Sequence, residues 1–184
     1  MFSNRSITMS YKAAFAAIAA AALLAPAAIG APLHKKALGK IGSWEIARYT
    51  TGGAGKKLAY CEAKIITATE TGLRITISEN DTAFGFSGYG SAAIGDAPKI
   101  KHWINGDKSS AATDTAKLET DETGFEWTMI SESNDEPGMF SDALPNAHKI
   151  SFSYPVDGKP HVQTFSLKSS NAVVDRLIDC RDGR

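Results

Sequence analysis

From Ser43 onward, apolar and polar residues alternate along the chain, and turn-forming residues interrupt the pattern roughly every ten positions. Alternation places successive side chains on opposite faces of a strand, so it is typical of half-buried β-strands. The regular Gly, Asn, Asp and Pro turns favour short antiparallel strands over a parallel sheet with crossover helices. Strands are predicted at 44–46, 58–69, 73–77, 84–86, 100–104, 125–129, 150–154 and 161–167.

The end of the chain has helical periodicity. Val173, Leu177 and Cys180 are spaced i, i+4 and i+7, which places them on one face of a helix. Residues 169–171 are Ser, Ser and Asn, whose side-chain oxygens suit an N-cap. A shorter helical turn is predicted at 139–144, before a proline.

The connections between these elements follow from turn chemistry. Asn105-Gly106 suits a type I′ turn, because both residue types tolerate positive φ. Residues 51–56 and 155–160 predict hairpin loops, and 88–98 and 131–138 predict longer loops. The fold class predicted is mainly β: an antiparallel sandwich or barrel with a short C-terminal helix.

Residues 1–30 have the pattern of a secretory signal peptide. Arg5 and Lys12 precede an uncharged run of 13 apolar residues at 13–25, and small residues follow at cleavage spacing. A membrane anchor needs about 20 apolar residues, so we expect cleavage, no transmembrane span in the mature protein, and a periplasmic or secreted location. No repeat or interdomain linker is present, and we predict a flexible basic segment at 31–42 and one β-rich domain at 43–184.

Charge narrows the choice of partners. The charges of the 20 basic and 20 acidic residues cancel, but removal of the signal peptide with Arg5 and Lys12 leaves 18 basic against 20 acidic residues. Six bases and one acid lie in 31–60, whereas six bases and eleven acids lie in 121–184. Neither region has the concentrated Lys and Arg that duplex DNA requires, so no nucleic-acid partner is expected. The basic residues at 34–40 suit a solvated tail, or as the alternative a contact with anionic lipid.

Cys61 and Cys180 are the only cysteines. Export would place them in an oxidising compartment, where an even number favours pairing. We therefore predict one disulfide that joins the second strand to the last helix. The alternative, a reactive thiol, has less support because no C-x-x-C motif occurs and no cation adjoins Cys61.

No residue constellation predicts catalysis. The four histidines, at 34, 102, 148 and 161, are dispersed, and His102 lies among apolar residues as a core or interface histidine rather than a metal ligand. Residues 53–57 lack the first Gly and the final Ser or Thr of a phosphate-binding loop, and 85–89 lack the second Gly of a serine nucleophile elbow. We therefore expect no metal, no cofactor and no enzymatic activity.

The two ends of the mature chain resemble a known family. Gly42-Ser43-Trp44-Glu45-Ile46 opens it, and Phe165-Ser166-Leu167-Lys168-Ser169 leads into the final helix. This pattern resembles the invasion-associated locus B family of exported bacterial proteins, in which Gly usually stands at the position of Ser169. The resemblance implies a periplasmic or surface β-protein that interacts with host cells.

We accordingly expect a non-enzymatic, monomeric β-domain that binds a protein or envelope component. The predicted contact surface is the loop around 84–97, with Tyr89, Phe86 and Trp103 as candidate contact residues, although this loop would serve equally well as a plain connection. The alternative is a lipocalin-like carrier that encloses a small apolar ligand beside Trp103 and Trp127. A hydrolase is the third hypothesis.

Overall fold

The computed structural model of the protein describes residues 32–53, 55–88, 97–134 and 138–184. These ranges lie within one unit, residues 31–184, and contain eleven strands and one α-helix. The predicted β-fold with a C-terminal helix is confirmed. The elements are β1 (His34–Ile41), β2 (Trp44–Thr51), β3 (Lys57–Ile66), β4 (Gly72–Ile77), β5 (Asp81–Ser87), β6 (Lys99–Ile104), β7 (Ala112–Thr115), β8 (Lys117–Thr120), β9 (Glu126–Ser133), β10 (Lys149–Val156), β11 (Lys159–Ser166) and α1 (Ser170–Arg181).

The strands form two antiparallel sheets. Sheet A has seven strands in the order β1-β2-β3-β4-β5-β9-β8, and sheet B has four in the order β11-β10-β6-β7. The chain passes from sheet B to sheet A at Ala116, between β7 and β8, where the Ala116 amide donates to the Pro98 carbonyl at 2.9 Å. Neither sheet closes on itself among the described residues. Of the two predicted architectures, sandwich and barrel, the structure therefore has the sandwich.

Aromatic rings fill the space between the sheets. Phe86 of β5 packs against Phe152 and Tyr154 of β10, with 4.7 Å between ring centroids in both contacts. Ile75 on the neighbouring β4 is fully buried in the same core. The alternating apolar residues of the sequence therefore face each other across a solid interior.

The segment at 31–42 was predicted to be flexible, but most of it is a strand. His34–Ile41 forms β1, which pairs antiparallel with β2 along its length and has an irregularity between Ala37 and Gly39. Lysines suit a strand at the edge of a sheet, because their charge discourages pairing with other chains. Basic composition alone therefore did not distinguish a charged edge strand from a solvated tail.

Two strands were not predicted, and one loop was predicted too long. β7 and β8 carry few apolar residues, so they show no clear alternation, but each is an edge strand, where polar side chains are tolerated. The hairpin loop predicted at 155–160 is shorter in the structure and consists of Asp157 and Gly158, both with positive φ. Asn105 and Gly106 also have positive φ, as a type I′ turn requires.

Helix α1 covers part of the core face of sheet A. Val173, Leu177 and Cys180 are buried on one face, as predicted, and pack towards β3 and β4. Ser169 precedes the helix but makes no side-chain cap hydrogen bond. The described residues include no helix with the length and apolar character needed to cross a bilayer.

The predicted disulfide between Cys61 and Cys180 is confirmed. Cys61 is buried on the core face of β3, Cys180 is buried on α1, and their Cα atoms are 6.2 Å apart. The bond joins positions separated by 119 residues, so it constrains a large loop of the unfolded chain.

Replacing Cys61 and Cys180 together by Ala should lower the free energy of unfolding by about 2–5 kcal/mol, because the unfolded chain regains the entropy of an open loop. Urea denaturation measures this change. Reductant should destabilise the wild type and leave the double variant unchanged. A wild type whose urea midpoint is insensitive to reductant would contradict the structural role of the bond.

Candidate functional site

Two predicted contact residues, Phe86 and Trp103, are buried. Phe86 is 1% exposed, because β5 continues to Ser87 and turns the ring inward. Trp103 is 5% exposed, and the Lys108 ammonium lies 5.7 Å from the centroid of its ring. Tyr89 lies outside the described residues. Neither Phe86 nor Trp103 is exposed, and the role of the three residues in contact with a partner stays a prediction.

His102 has the core position predicted for it. It is 2% exposed, its Nε2 lies 2.7 Å from Asp114 Oδ2, and its ring meets Phe84 edge-on at 5.2 Å. Its Nδ1 has no hydrogen-bond partner among the described residues. Across residues 32–53, 55–88, 97–134 and 138–184, no three His, Cys, Asp or Glu side chains converge to hold a metal ion.

The second face of sheet A, which points away from sheet B, carries buried charges. Glu62 and Lys64 of β3, Arg74 of β4 and Asp121 after β8 are between 1% and 8% exposed, and we call these four residues the polar cluster. The sequence pattern of β3 and β4 predicts half-buried strands whose charged residues face solvent. The sequence feature that hints at buried charges is the position of three of them within the most apolar strands.

The polar cluster is a chain of three ion pairs, in which the Lys64 ammonium also lies 3.7 Å from Glu62 Oε1. Arg74 Nε donates to Glu62 Oε2 at 2.7 Å, and Lys64 Nζ donates to Asp121 Oδ2 at 3.1 Å. The Tyr49 hydroxyl oxygen lies 3.2 Å from Glu62 Oε1. Burial alone would lower the pKa of Arg74, but the Glu62 charge and hydrogen bond outweigh burial and raise it. Each buried charge therefore has a counter-ion.

Asp121 is held as a carboxylate. It accepts hydrogen bonds from the Thr123 hydroxyl, the Thr123 and Phe125 amides and the Trp127 indole. Burial alone would raise its pKa, but these donors outweigh burial and hold the pKa of Asp121 well below its usual range. Asp121 thus binds the loop after β8 and the ammonium of Lys64 together.

Contacts across this face require sheet A to curl. Glu122, just after β8, accepts hydrogen bonds from Lys35 of β1 at 2.8 Å and from the Tyr49 hydroxyl of β2 at 2.5 Å. In a flat sheet, β8 and β2 would be five strand spacings apart, or about 24 Å. At Gly85, inside the curl, an added Cβ would lie 2.8 Å from Met129 Sδ, so glycine permits the close packing.

A groove lies at the edge of the sandwich where β11 ends sheet B. It encloses about 350 Å³. We call it the Trp44 groove, after the tryptophan at the start of β2. Its apolar lining residues are Trp44, Ile65 and Phe165, and its polar lining includes hydroxyl groups and one cation, Lys168. Its remaining lining residues are Gly42, Ser43, Thr67, Thr164, Ser166 and Ser169.

The Trp44 groove brings the two ends of the β-domain together. Trp44 Nε1 donates to the Lys168 carbonyl at 3.1 Å, across 124 positions of sequence. A Cβ placed on Gly42 would lie 3.8 Å from Ser169 Oγ. These residues belong to the two terminal motifs that resemble the invasion-associated locus B family. Both motifs can be recognised in the sequence, but their spacing does not predict that they meet in one groove.

Asp121→Asn should lower the free energy of unfolding by about 2 kcal/mol, because the buried Lys64 ammonium loses its nearer counter-ion and keeps only Glu62 Oε1, which is 3.7 Å away and already paired with Arg74. Asp157→Asn is the matched control, since Asp157 is an exposed turn residue and Asn accepts its positive φ. Urea denaturation at neutral pH measures both variants. Equal stability of the two would show that the Lys64–Asp121 pair contributes nothing.

The polar cluster should also make stability depend on pH. The folded-state pKa of Asp121 lies below its unfolded value of about 3.9, so its contribution to stability is fully present above about pH 5 and is lost progressively as pH falls from there towards the folded-state pKa. We expect the urea midpoint of the wild type to fall with acidification more steeply than that of Asp121→Asn. Parallel pH profiles would contradict this assignment.

The chain matches no protein-family model, no curated protein and no solved structure. Its resemblance to the invasion-associated locus B family therefore stays a prediction that depends on the two terminal motifs.

Proposed function

We propose that this chain is an exported, non-enzymatic β-domain that binds a protein or envelope component through the Trp44 groove. Export is supported by the signal-peptide pattern at 1–30, which lies outside the described residues, and by the disulfide between Cys61 and Cys180.

The observation that carries this proposal is the position of the groove. Its walls come from the β1–β2 turn, the end of β3, the end of β11 and the link to α1. The β1–β2 turn, the end of β11 and the link to α1 are the parts of the chain that resemble the family linked to host-cell interaction. A surface concavity with apolar walls and a few polar groups suits recognition of another molecule.

The chemistry of the lining favours binding over hydrolysis. Ser43, Ser166 and Ser169 supply hydroxyls, but no lining residue supplies an imidazole, a carboxylate or a thiol. A serine nucleophile needs a base within hydrogen-bond reach. The only ionisable side chain of the lining, Lys168, is an exposed surface residue.

The lipocalin-like alternative has less support from the core. Trp127 is fully buried, its ring packs against Phe125 with 5.1 Å between centroids, and Arg74 lies 5.8 Å from it. An added Cβ at Gly72 would lie 2.7 Å from the Trp127 ring. These contacts occupy the space around Trp127 where an enclosed ligand would lie. Native mass spectrometry tests the alternative, because a carrier would retain a ligand mass.

A photo-reactive phenylalanine placed at Ser43, an exposed residue that lines the groove, should form a discrete adduct in intact cells that export the protein. The same residue at exposed Thr113, on the far edge of sheet B, is the control and should form none. Gel shifts followed by mass spectrometry identify the adduct. Absence of an adduct, or the same adduct from both positions, would reject the groove as the binding surface.

Leu24→Arg should block export, because a charge interrupts the apolar run of the signal. The retained chain should keep its N-terminal residues and carry two reduced cysteines, whereas the wild-type protein should begin near residue 31 with no free thiol. Intact mass with and without thiol alkylation measures both properties. Leu24→Ile is the control. Normal processing of Leu24→Arg would overturn the export signal.

A further inference from the structure

We infer that the Trp44 groove binds an acidic, extended segment of a partner protein, which adds as a fifth strand to the edge of sheet B at β11. This inference depends on the proposed function and names the binding mode and the chemistry of the partner. It follows from three properties of the β11 edge: its open backbone groups, the groove beside it and its charge.

The outer edge of β11 presents backbone groups that face away from β10. In an antiparallel pair, residues alternate between bonding to the neighbouring strand and pointing outward. The Leu167 amide donates to the His148 carbonyl at 2.9 Å, and the register pairs Ile150 with Phe165. The odd-numbered residues of β11 therefore bond to β10, and the even-numbered ones point outward.

The outward set comprises Val162, Thr164 and Ser166, all of which are exposed. No strand pairs with this edge among the described residues, since β11 is the first strand of sheet B. Pro160 has no amide hydrogen, so it limits pairing to the last five residues of β11. The free edge thus offers donors and acceptors to a short extended segment.

The Trp44 groove lies where the inward side chains of such a segment would point. Thr164, Phe165 and Ser166 of β11 form one wall, and Trp44 and Ile65 of sheet A contribute to the lining. No residue of β10 lines the groove, so it lies on the open side of β11. A segment paired with β11 would therefore place alternate apolar side chains over sheet A.

The charge of this edge selects an acidic partner. Residues 158–174 contain no Asp or Glu, and their basic residues are Lys159, Lys168 and His161. No carboxylate of the described residues forms an ion pair with Lys168, which lines the groove. A second copy of the chain fits less well, because antiparallel β11–β11 pairing would bring Lys159 of one copy near Lys168 of the other.

The opposite edge of sheet B provides a matched comparison. The Ala116 amide bonds to Pro98, so the even-numbered residues of β7 face β6 and Thr113 points outward. Thr113 is exposed like Thr164, but it does not line the Trp44 groove. Proline at either position removes an outward amide hydrogen without removing a ladder bond.

The test uses the oxidised mature protein and a capped, fluorescent peptide of alternating Val and Thr that begins with two Asp residues. Binding is followed by fluorescence anisotropy for the wild type, Thr164→Pro and Thr113→Pro. We expect Thr113→Pro to bind like the wild type and Thr164→Pro to bind at least about tenfold more weakly, because it loses a pairing donor. A second peptide, in which every other amide is N-methylated, should bind the wild-type protein as weakly as the unmethylated peptide binds Thr164→Pro.

Several outcomes would overturn the inference. These are absence of saturable peptide binding, equal binding by Thr164→Pro, and equal binding of a peptide with Lys in place of Asp. Dimerisation of the wild type that Thr164→Pro abolishes would identify a second copy as the occupant instead. If the photo-reactive residue at Ser43 captures a partner while the peptide fails, the proposed function stands and strand addition is rejected.

Discussion

The pairing of Lys64 with Asp121 constrains the curl of sheet A, and the position of sheet B depends on that curl. The pair holds the segment after β8 over β3, far from its place in a flat sheet. Since β8 continues directly from β7, the same contact fixes where sheet B crosses the core. A slip of β8 by one residue would move Asp121 away from Lys64 and leave the buried ammonium with only the more distant Glu62, 3.7 Å away, as a counter-ion.

The unequal widths of the two sheets explain where the groove forms. Sheet B has four strands against seven in sheet A, so part of the core face of sheet A lies beyond β11. Helix α1 covers some of that face, and the disulfide to Cys61 holds it there. The Trp44 groove lies in the region between α1 and the free edge of β11. The open surface is therefore a consequence of the strand count.

Alternation in the sequence predicted the strands that form the core, because residues such as Ile75 and Phe152 must face inward at every second position. It could not predict β7 and β8, whose polar residues are stabilised by neighbouring strands rather than by burial. Arg74 was unpredictable as a buried residue, since its burial depends on the curl of a whole sheet. The groove was likewise beyond prediction, because Trp44 and Lys168 meet only after the two sheets have packed.

Ser169 has φ 68° and ψ 18°, a left-handed conformation that costs a residue with a Cβ roughly 1–2 kcal/mol. Glycine would follow the same path without that cost. The turn into α1 therefore carries a conformational cost that glycine would avoid, and the residue that bears this cost is one of the lining residues of the Trp44 groove.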